Sequence, residues 1–187
     1  MNPRDTLLKM ILEKSYREGD FTLTSGQKSS FYIDLKPTIL HPIGAKAIGE
    51  LAMEWMKSKQ LNFQGVGGLT LGADPLVMSI SRGALDVGVV MPASMIRKEP
   101  KKHGTSRFIE GIENFPKASN ILVVEDVVTT GTSAKKAIEI LRAEGFSVTH
   151  VLSIVDREAG GTAVFQALGV ELHSFFTISE IKNAFVK

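Results

Sequence analysis

No cysteine occurs among the 187 residues, which excludes disulfides, thiolate metal sites and a Cys nucleophile together. Neither sign of charge is in excess. The formal net charge of +2 is too small for wholesale nucleic-acid binding, so any basic site must be local. No apolar run approaches the roughly 18 residues that a membrane span requires. Residues 1–20 intersperse charges among apolar positions and do not read as a signal peptide. Repeats, low-complexity tracts and linkers are missing too. Neither G-x-x-x-x-G-K-[ST] nor G-x-G-x-x-G occurs, which removes the Walker A loop and the dinucleotide fingerprint. What is present, 43% hydrophobic and 22% charged residues, is ordinary for a globular chain. The expectation is one domain over residues 1–187 with a substantial core, in the cytoplasm.

Periodicity then supplies the elements. Leu7, Leu8, Ile11 and Leu12 form one face of a first helix, with Asn2-Pro3 as its cap. "FTLTSGQKSSFYIDLK" reads as two short strands, Phe21–Leu23 and Phe31–Asp34, about a Ser25-Gly26 turn. A second helix opens at His41-Pro42 with a face of Ile43, Ala47, Ile48, Leu51, Trp55 and Met56. A helix near Pro75–Arg82, a strand Val87–Met91 and a long polar loop follow. Strand Ile121–Val124, a helix from about Ser133 to Ala143, strand Val148–Val155, a short helix around Thr162–Leu168 and strand Glu171–Phe176 complete the pattern. Continuous apolar strands alternating with amphipathic helices imply an α/β fold: a parallel sheet flanked by helices on both faces, with a small N-terminal hood segment of about residues 1–40. Ligands of such sheets bind beyond the carboxyl ends of the strands.

On that rim, "ILVVEDVVTTGTSA" sets Glu125 and Asp126 side by side before a Thr/Gly/Ser turn and a helix. Successive strand residues point to opposite faces, so the two acids serve one site only if the strand ends there. The turn at Thr129–Ser133 suggests that it does. A glycine turn feeding a helix N-terminus offers free backbone N–H groups to a phosphate. Carboxylates beside it need a different partner on the same ligand, and sugar hydroxyls suit them. A sugar phosphate with vicinal hydroxyls satisfies both. An ordinary βα turn with an acid near a helix N-terminus has the same appearance, and loop chemistry alone does not choose between them.

A second rim segment, "IRKEPKKHGTSR", carries Arg97, Lys98, Lys101, Lys102, His103 and Arg107. A loop this long is usually functional or disordered. It lacks the interleaved aromatics that stack on nucleic-acid bases. A cationic lid over a departing polyphosphate is the better use, with Arg as a planar fork, Lys as a movable charge and His as a proton or hydrogen-bond donor. "GGLTLGADPL" is a further glycine-rich βα turn. "VDREAGG" places Asp156-Arg157 at a strand end, where a bidentate Arg could meet a planar carboxylate.

"ILVVEDVVTTGTSA" resembles the phosphoribosyl-diphosphate (PRPP) signature of type I phosphoribosyltransferases. "RKEPKKHG" and "DREAGG" resemble the corresponding segments of orotate phosphoribosyltransferases, and the resemblance covers nearly the whole chain. It implies a PRPP site of Arg97, Lys98, Lys101, His103, Glu125, Asp126, Val127, Val128, Thr129, Thr130, Gly131, Thr132 and Ser133. Catalytic roles would fall to Lys101, His103 and Asp126. Lys102 stands at the variable position of the motif. Orotate would be met by Thr129 and Arg157, with Lys28, Phe31 and Tyr32 of "LTSGQKSSFYID" covering it. Thr24 departs from the pattern, because some relatives carry there a Lys that contacts substrate. The resemblance further implies Mg2+ held mainly by PRPP oxygens, with no dedicated protein ligand set, and a homodimer whose basic loop completes the neighbouring site. Transfer to another base and a non-catalytic PRPP-binding regulator are the alternatives. The carboxylate partner implied for Arg157 weighs against the first, and the absence of a spare DNA-binding segment against the second.

Overall fold

The computed structural model describes residues 1–22, 26, 28–100 and 108–186. Helix α1 (Pro3–Met10) starts where the Asn2 side chain accepts a hydrogen bond from the Asp5 N–H at 2.8 Å, with Pro3 in the first turn. A π turn over Ile11–Ser15 then delivers the chain into an antiparallel hairpin, β1 (Tyr16–Thr22) and β2 (Lys28–Ile33). The expected hairpin is therefore present with longer strands. Leu23, Thr24 and Ser25 lie outside the described residues.

After the short helix α2 (Lys36–Ile39), α3 (Pro42–Ser58) opens under a His41 cap. Ile43, placed on its buried face by periodicity, is exposed, whereas Ala47, Ile48, Leu51, Trp55 and Met56 are buried as expected. Then follow β3 (Gly65–Leu69), α4 (Asp74–Asp86), β4 (Ala93–Ile96), β5 (Ile109–Glu110), β6 (Ile121–Val128), α5 (Thr132–Ala143), β7 (His150–Asp156), α6 (Gly161–Ala167), β8 (Glu171–Thr177) and α7 (Ile178–Phe185).

The expected strand Val87–Met91 is not one. Gly88 takes a left-handed φ of +79°, Val87, Val89 and Val90 face outward, and pairing begins only after Pro92. Proline has no N–H to donate, but its carbonyl still accepts from the Val66 N–H at 3.0 Å.

Six strands form the main sheet in the order β5-β4-β3-β6-β7-β8, parallel except for the edge strand β5. One face packs Leu122, Val124, Leu152 and Ile154 against α1, α3, α4 and α7. The other packs Ile121, Val123 and Val151 against Ala134, Ala137, Ile138 and Leu141 of α5 and Phe165 of α6. Chain order runs outward in opposite directions from the β3–β6 pair. That is the switch point at which open α/β sheets place their ligands.

Candidate active site

At the switch point the end of β3 and the loop after it press on β6. A Cβ on Gly68 would stand 2.3 Å from the Ala73 Cβ and 2.6 Å from the Val124 carbonyl oxygen, so only glycine permits this approach. The loop contains a cis peptide between Thr70 and Leu71, and the Thr70 N–H donates to the Ile96 carbonyl at 2.8 Å. Gly72 then lies against Asp126, where an added Cβ would come within 2.7 Å of Oδ1.

β6 does not end at Val124, as the turn chemistry suggested; it runs through both acids to Val128. What gives way is the alternation. Leu122 and Val124 pack on one face and Ile121 and Val123 on the other, yet Val127 packs on the first and Val128 on the second. The reset falls at the acid pair, with Asp126 Oδ1 accepting from the Val127 N–H at 2.9 Å. Two consecutive carboxylates therefore serve one rim without the strand terminating.

Both acids are mostly buried and neither is comfortable as an anion. Burial pushes Glu125 up to about 8, Asp126 adds to the shift, and Lys98 opposes it. Asp126 is likewise raised, chiefly by burial, while the Val127 N–H and Lys36 pull it back. The buried Oε2 of Glu125 has no hydrogen-bond partner among the described residues. A buried polar atom left open at a strand end is a place for a ligand donor.

Beyond Val128 the chain turns through Thr129 and Thr130 to Gly131. Gly131 is buried at φ +77°, with Phe165 Cζ 2.9 Å from where a Cβ would be. No side chain caps α5, and its first turn holds no acid. The orphan N–H groups and the positive end of the dipole are thus uncompensated, with the Thr130 and Thr132 hydroxyls bonded to each other at 2.9 Å beside them.

Of the basic loop, Lys101, Lys102, His103 and Arg107 lie outside the described residues. Arg97 is held by Glu110, its Nε and Nη2 both 2.7 Å from Oε1. Lys98 is exposed, and its carbonyl accepts from Lys136 Nζ at 2.5 Å, which ties α5 to the start of the loop. Neither Lys136 nor Lys36 was singled out in the sequence. Lys36 pairs with Asp34 at 3.2 Å, a bond that raises its pKa, and it also feels Asp126. Asp34 and Lys36 in "YIDLK" are the only signal that could have pointed to it.

On the far side of β6, the Arg157 N–H donates to the Val128 carbonyl at 2.8 Å, and its guanidinium stands 4.9 Å from the centre of the Phe31 ring. Phe31 stacks on Tyr16 at 6.1 Å. The structure thus brings Phe31 and Arg157 together, although they are far apart in sequence, with the Arg157 backbone tied to the end of β6. Tyr32 is directed otherwise, packing on Phe21 at 5.6 Å, and exposed Lys28 donates across the hairpin to Thr22 Oγ1 at 2.8 Å. Neither is placed against Arg157.

The phosphoribosyl transferase domain model matches residues 38–168. The chain belongs to the phosphoribosyltransferase family. An orotate phosphoribosyltransferase of a Nostoc species is 45% identical over 182 residues, covering 97% of this chain and 86% of that one. The Mycobacterium tuberculosis orotate phosphoribosyltransferase solved with Fe(III) dicitrate superposes with a TM-score of 0.84 at 34% identity, over 96% of this chain and 98% of that one. The same enzyme in complex with PRPP gives a TM-score of 0.80 at 31% identity, over 96% and 99%. As a phosphoribosyltransferase the chain has its acid pair and anion loop inside the matched region, whereas Phe31 and α7 fall outside it. Among the described residues no helix is long and apolar enough to cross a membrane, and no group of three or more acids or histidines is placed to hold a metal.

Proposed function

We infer that this phosphoribosyltransferase acts on orotate, joining it to the ribose 5-phosphate of PRPP to give orotidine 5′-monophosphate and pyrophosphate. The observation that carries the reading is the convergence on one rim of an uncapped helix N-terminus, two half-buried carboxylates and a guanidinium lying on an aromatic ring. The N–H groups at Thr129–Ser133 grip the 5-phosphate. Glu125 and Asp126 accept from the ribose hydroxyls, which restores the partners that burial removed. Arg157 meets the orotate carboxylate over Phe31, with Thr129 beside it.

The bond from the anomeric carbon to the pyrophosphate oxygen breaks as the bond to the pyrimidine nitrogen forms, and that nitrogen gives up its proton to solvent. Asp126 and Glu125 lie where positive charge grows on the ribose ring, while Arg97, Lys98, Lys101 and His103 stabilise the departing pyrophosphate. Mg2+, when bound, neutralises pyrophosphate charge as a Lewis acid. The ion would take its ligands mainly from PRPP oxygens, which leaves Glu125 and Asp126 to the ribose hydroxyls.

The working unit is one domain over residues 1–187, with a hood formed by about residues 1–40, in a homodimer whose basic loop reaches the neighbouring site. Apolar side chains support that pairing: Leu40, Met78, Val87 and Val89 line a groove of about 1550 Å³ between α3 and α4, and exposed Val90 lies nearby. The segment Val87–Lys98 joins this face to the basic loop. The decisive experiment follows orotate absorbance with PRPP and Mg2+ beside a panel of purine and pyrimidine bases. Loss of orotate absorbance alone supports the reading. Turnover of a different base, or PRPP binding without turnover of any, refutes it.

A further inference from the structure

Phe31 carries two cations, not one. Arg157 Cζ lies 4.9 Å from its ring centre and Lys182 Nζ lies 4.3 Å from it. The two come from separate elements, Arg157 from the end of β7 and Lys182 from α7. Two like charges on one small ring repel, and a cation–π contact holds a cation without neutralising it. Nearby carboxylates would ordinarily do that, but each is engaged elsewhere. Glu18, in register with Phe31 across the hairpin, accepts from the Tyr16 hydroxyl at 3.1 Å. Asp156 Oδ1 accepts from the Glu158 N–H at 2.8 Å. Glu158 Oε2 accepts from the Ser179 N–H at 3.1 Å and from its hydroxyl. Glu180 pairs with Arg4 at 2.8 Å and accepts from the Thr177 N–H at 2.8 Å. Among the described residues, neither Arg157 nor Lys182 has an acid partner.

The position of Lys182 is fixed by packing. Ile178 and Ile181 are buried in the core, and Thr177 and Glu180 form a reciprocal capping box, so the helix is anchored at its start and along one side. Arg157 is tied through its backbone to Val128, one residue before the anion loop. Both cations are therefore carried on backbone that is fixed before any ligand arrives.

We propose that Lys182 is a second cation for the carboxylate of the base, forming with Arg157 a two-pronged seat over Phe31. This rests on the orotate reading and deepens it. A planar ring bearing one carboxylate matches the arrangement, because its carboxylate supplies the negative charge that the two cations on Phe31 lack. A pyrimidine without the carboxylate leaves two facing cations uncompensated, so α7 contributes to the choice of base.

Two variants separate this role from mere fastening of the hood to α7. Lys182→Met keeps the apolar stem over Phe31 and removes the charge; Lys182→Arg keeps the charge. Steady-state kinetics in both substrates and thermal midpoints are measured for each. Lys182→Met should raise KM for orotate about tenfold, equivalent to about 1.4 kcal/mol. Its KM for PRPP should stay within about twofold and its midpoint should not move, and Lys182→Arg should recover most of the loss. Two results overturn the seat: an unchanged orotate KM in Lys182→Met, or both KM values rising together with a fallen midpoint. Failure of the unsubstituted chain to consume orotate would instead remove the functional reading on which the seat depends.

Discussion

Glu125 is a carboxyl group that burial holds in its protonated form, and this has consequences that can be measured. Its pKa rises from an ordinary carboxylate value to about 8 because burial outweighs the help from Lys98. The folded state therefore binds a proton that the unfolded state releases between about pH 4.5 and pH 8, and stability falls as pH rises through that window. Glu125→Gln removes the titration. Between pH 5 and pH 9 it should gain on the order of 3 kcal/mol relative to the parent chain in denaturant melts without ligand. An equal difference at both pH values would contradict the assignment. Ribose hydroxyls donating to Glu125 favour its ionised form, so PRPP binding near pH 7 should release up to one proton. Calorimetry in buffers of unequal ionisation enthalpy reads this directly, and the release should vanish in Glu125→Gln. Gly72 offers a second check, since a methyl group there would intrude on Asp126. Gly72→Ala should raise KM for PRPP about tenfold with a small change in stability; an unaltered KM would detach Asp126 from the PRPP site.

Elements were legible in proportion to how much of their logic is local. α5 declared itself through Ala134, Ala137, Ile138 and Leu141 and is found one residue from the expected start. β4 was misplaced because "VGVVM" is apolar for a surface and not for a strand, and its valines face outward. No local pattern distinguishes those two uses. α7 passed unnoticed although Thr177 and Glu180 spell a capping box and Ile178 and Ile181 an apolar face; the helix is short, and its purpose lies in tertiary contacts. The acid pair was legible as chemistry but not as geometry. Glu125 and Asp126 were expected to need a strand end, and the fold instead resets the alternation within β6. The contact of Phe31 with Arg157 joins hood to rim across more than a hundred residues, and only a folded chain displays it. Anchoring of α7 is a testable property of the element as a whole. Thr177→Ala removes the cap bond to the Glu180 N–H and should cost about 1 kcal/mol in a denaturant melt. Because the same helix presents Lys182, KM for orotate should rise while KM for PRPP does not. A melt shift with no change in orotate KM would leave α7 a purely structural element.

At the scale of the whole molecule, exposed apolar side chains gather where none of the described residues covers them. Leu40, Met78, Leu85, Val87, Val89 and Val90 are all exposed about α3, α4 and the approach to β4, with Val90 79% accessible. Contiguous apolar surface of this kind ordinarily marks an interaction site. A second copy is the occupant we propose, because Val87–Lys98 runs from this face into the basic loop that the neighbouring site is proposed to use. Val90→Asp tests the connection at little risk to folding, since its side chain packs against little of its own chain. The variant should sediment as one chain where the parent sediments as two, and it should lose at least tenfold in turnover with its thermal unfolding still cooperative. A stronger test pairs two inactive forms. Lys101→Ala carries a defective loop and an intact rim, whereas Asp126→Asn carries an intact loop and a defective rim. If each loop serves the partner's rim, mixed dimers contain one site in which both parts are intact. Co-refolded mixtures should then recover activity that neither variant has alone, approaching a quarter of the parent level for random pairing. Should the mixture show only the sum of its parts while remaining dimeric, the loop acts within its own chain, and the second copy serves to cover the apolar face.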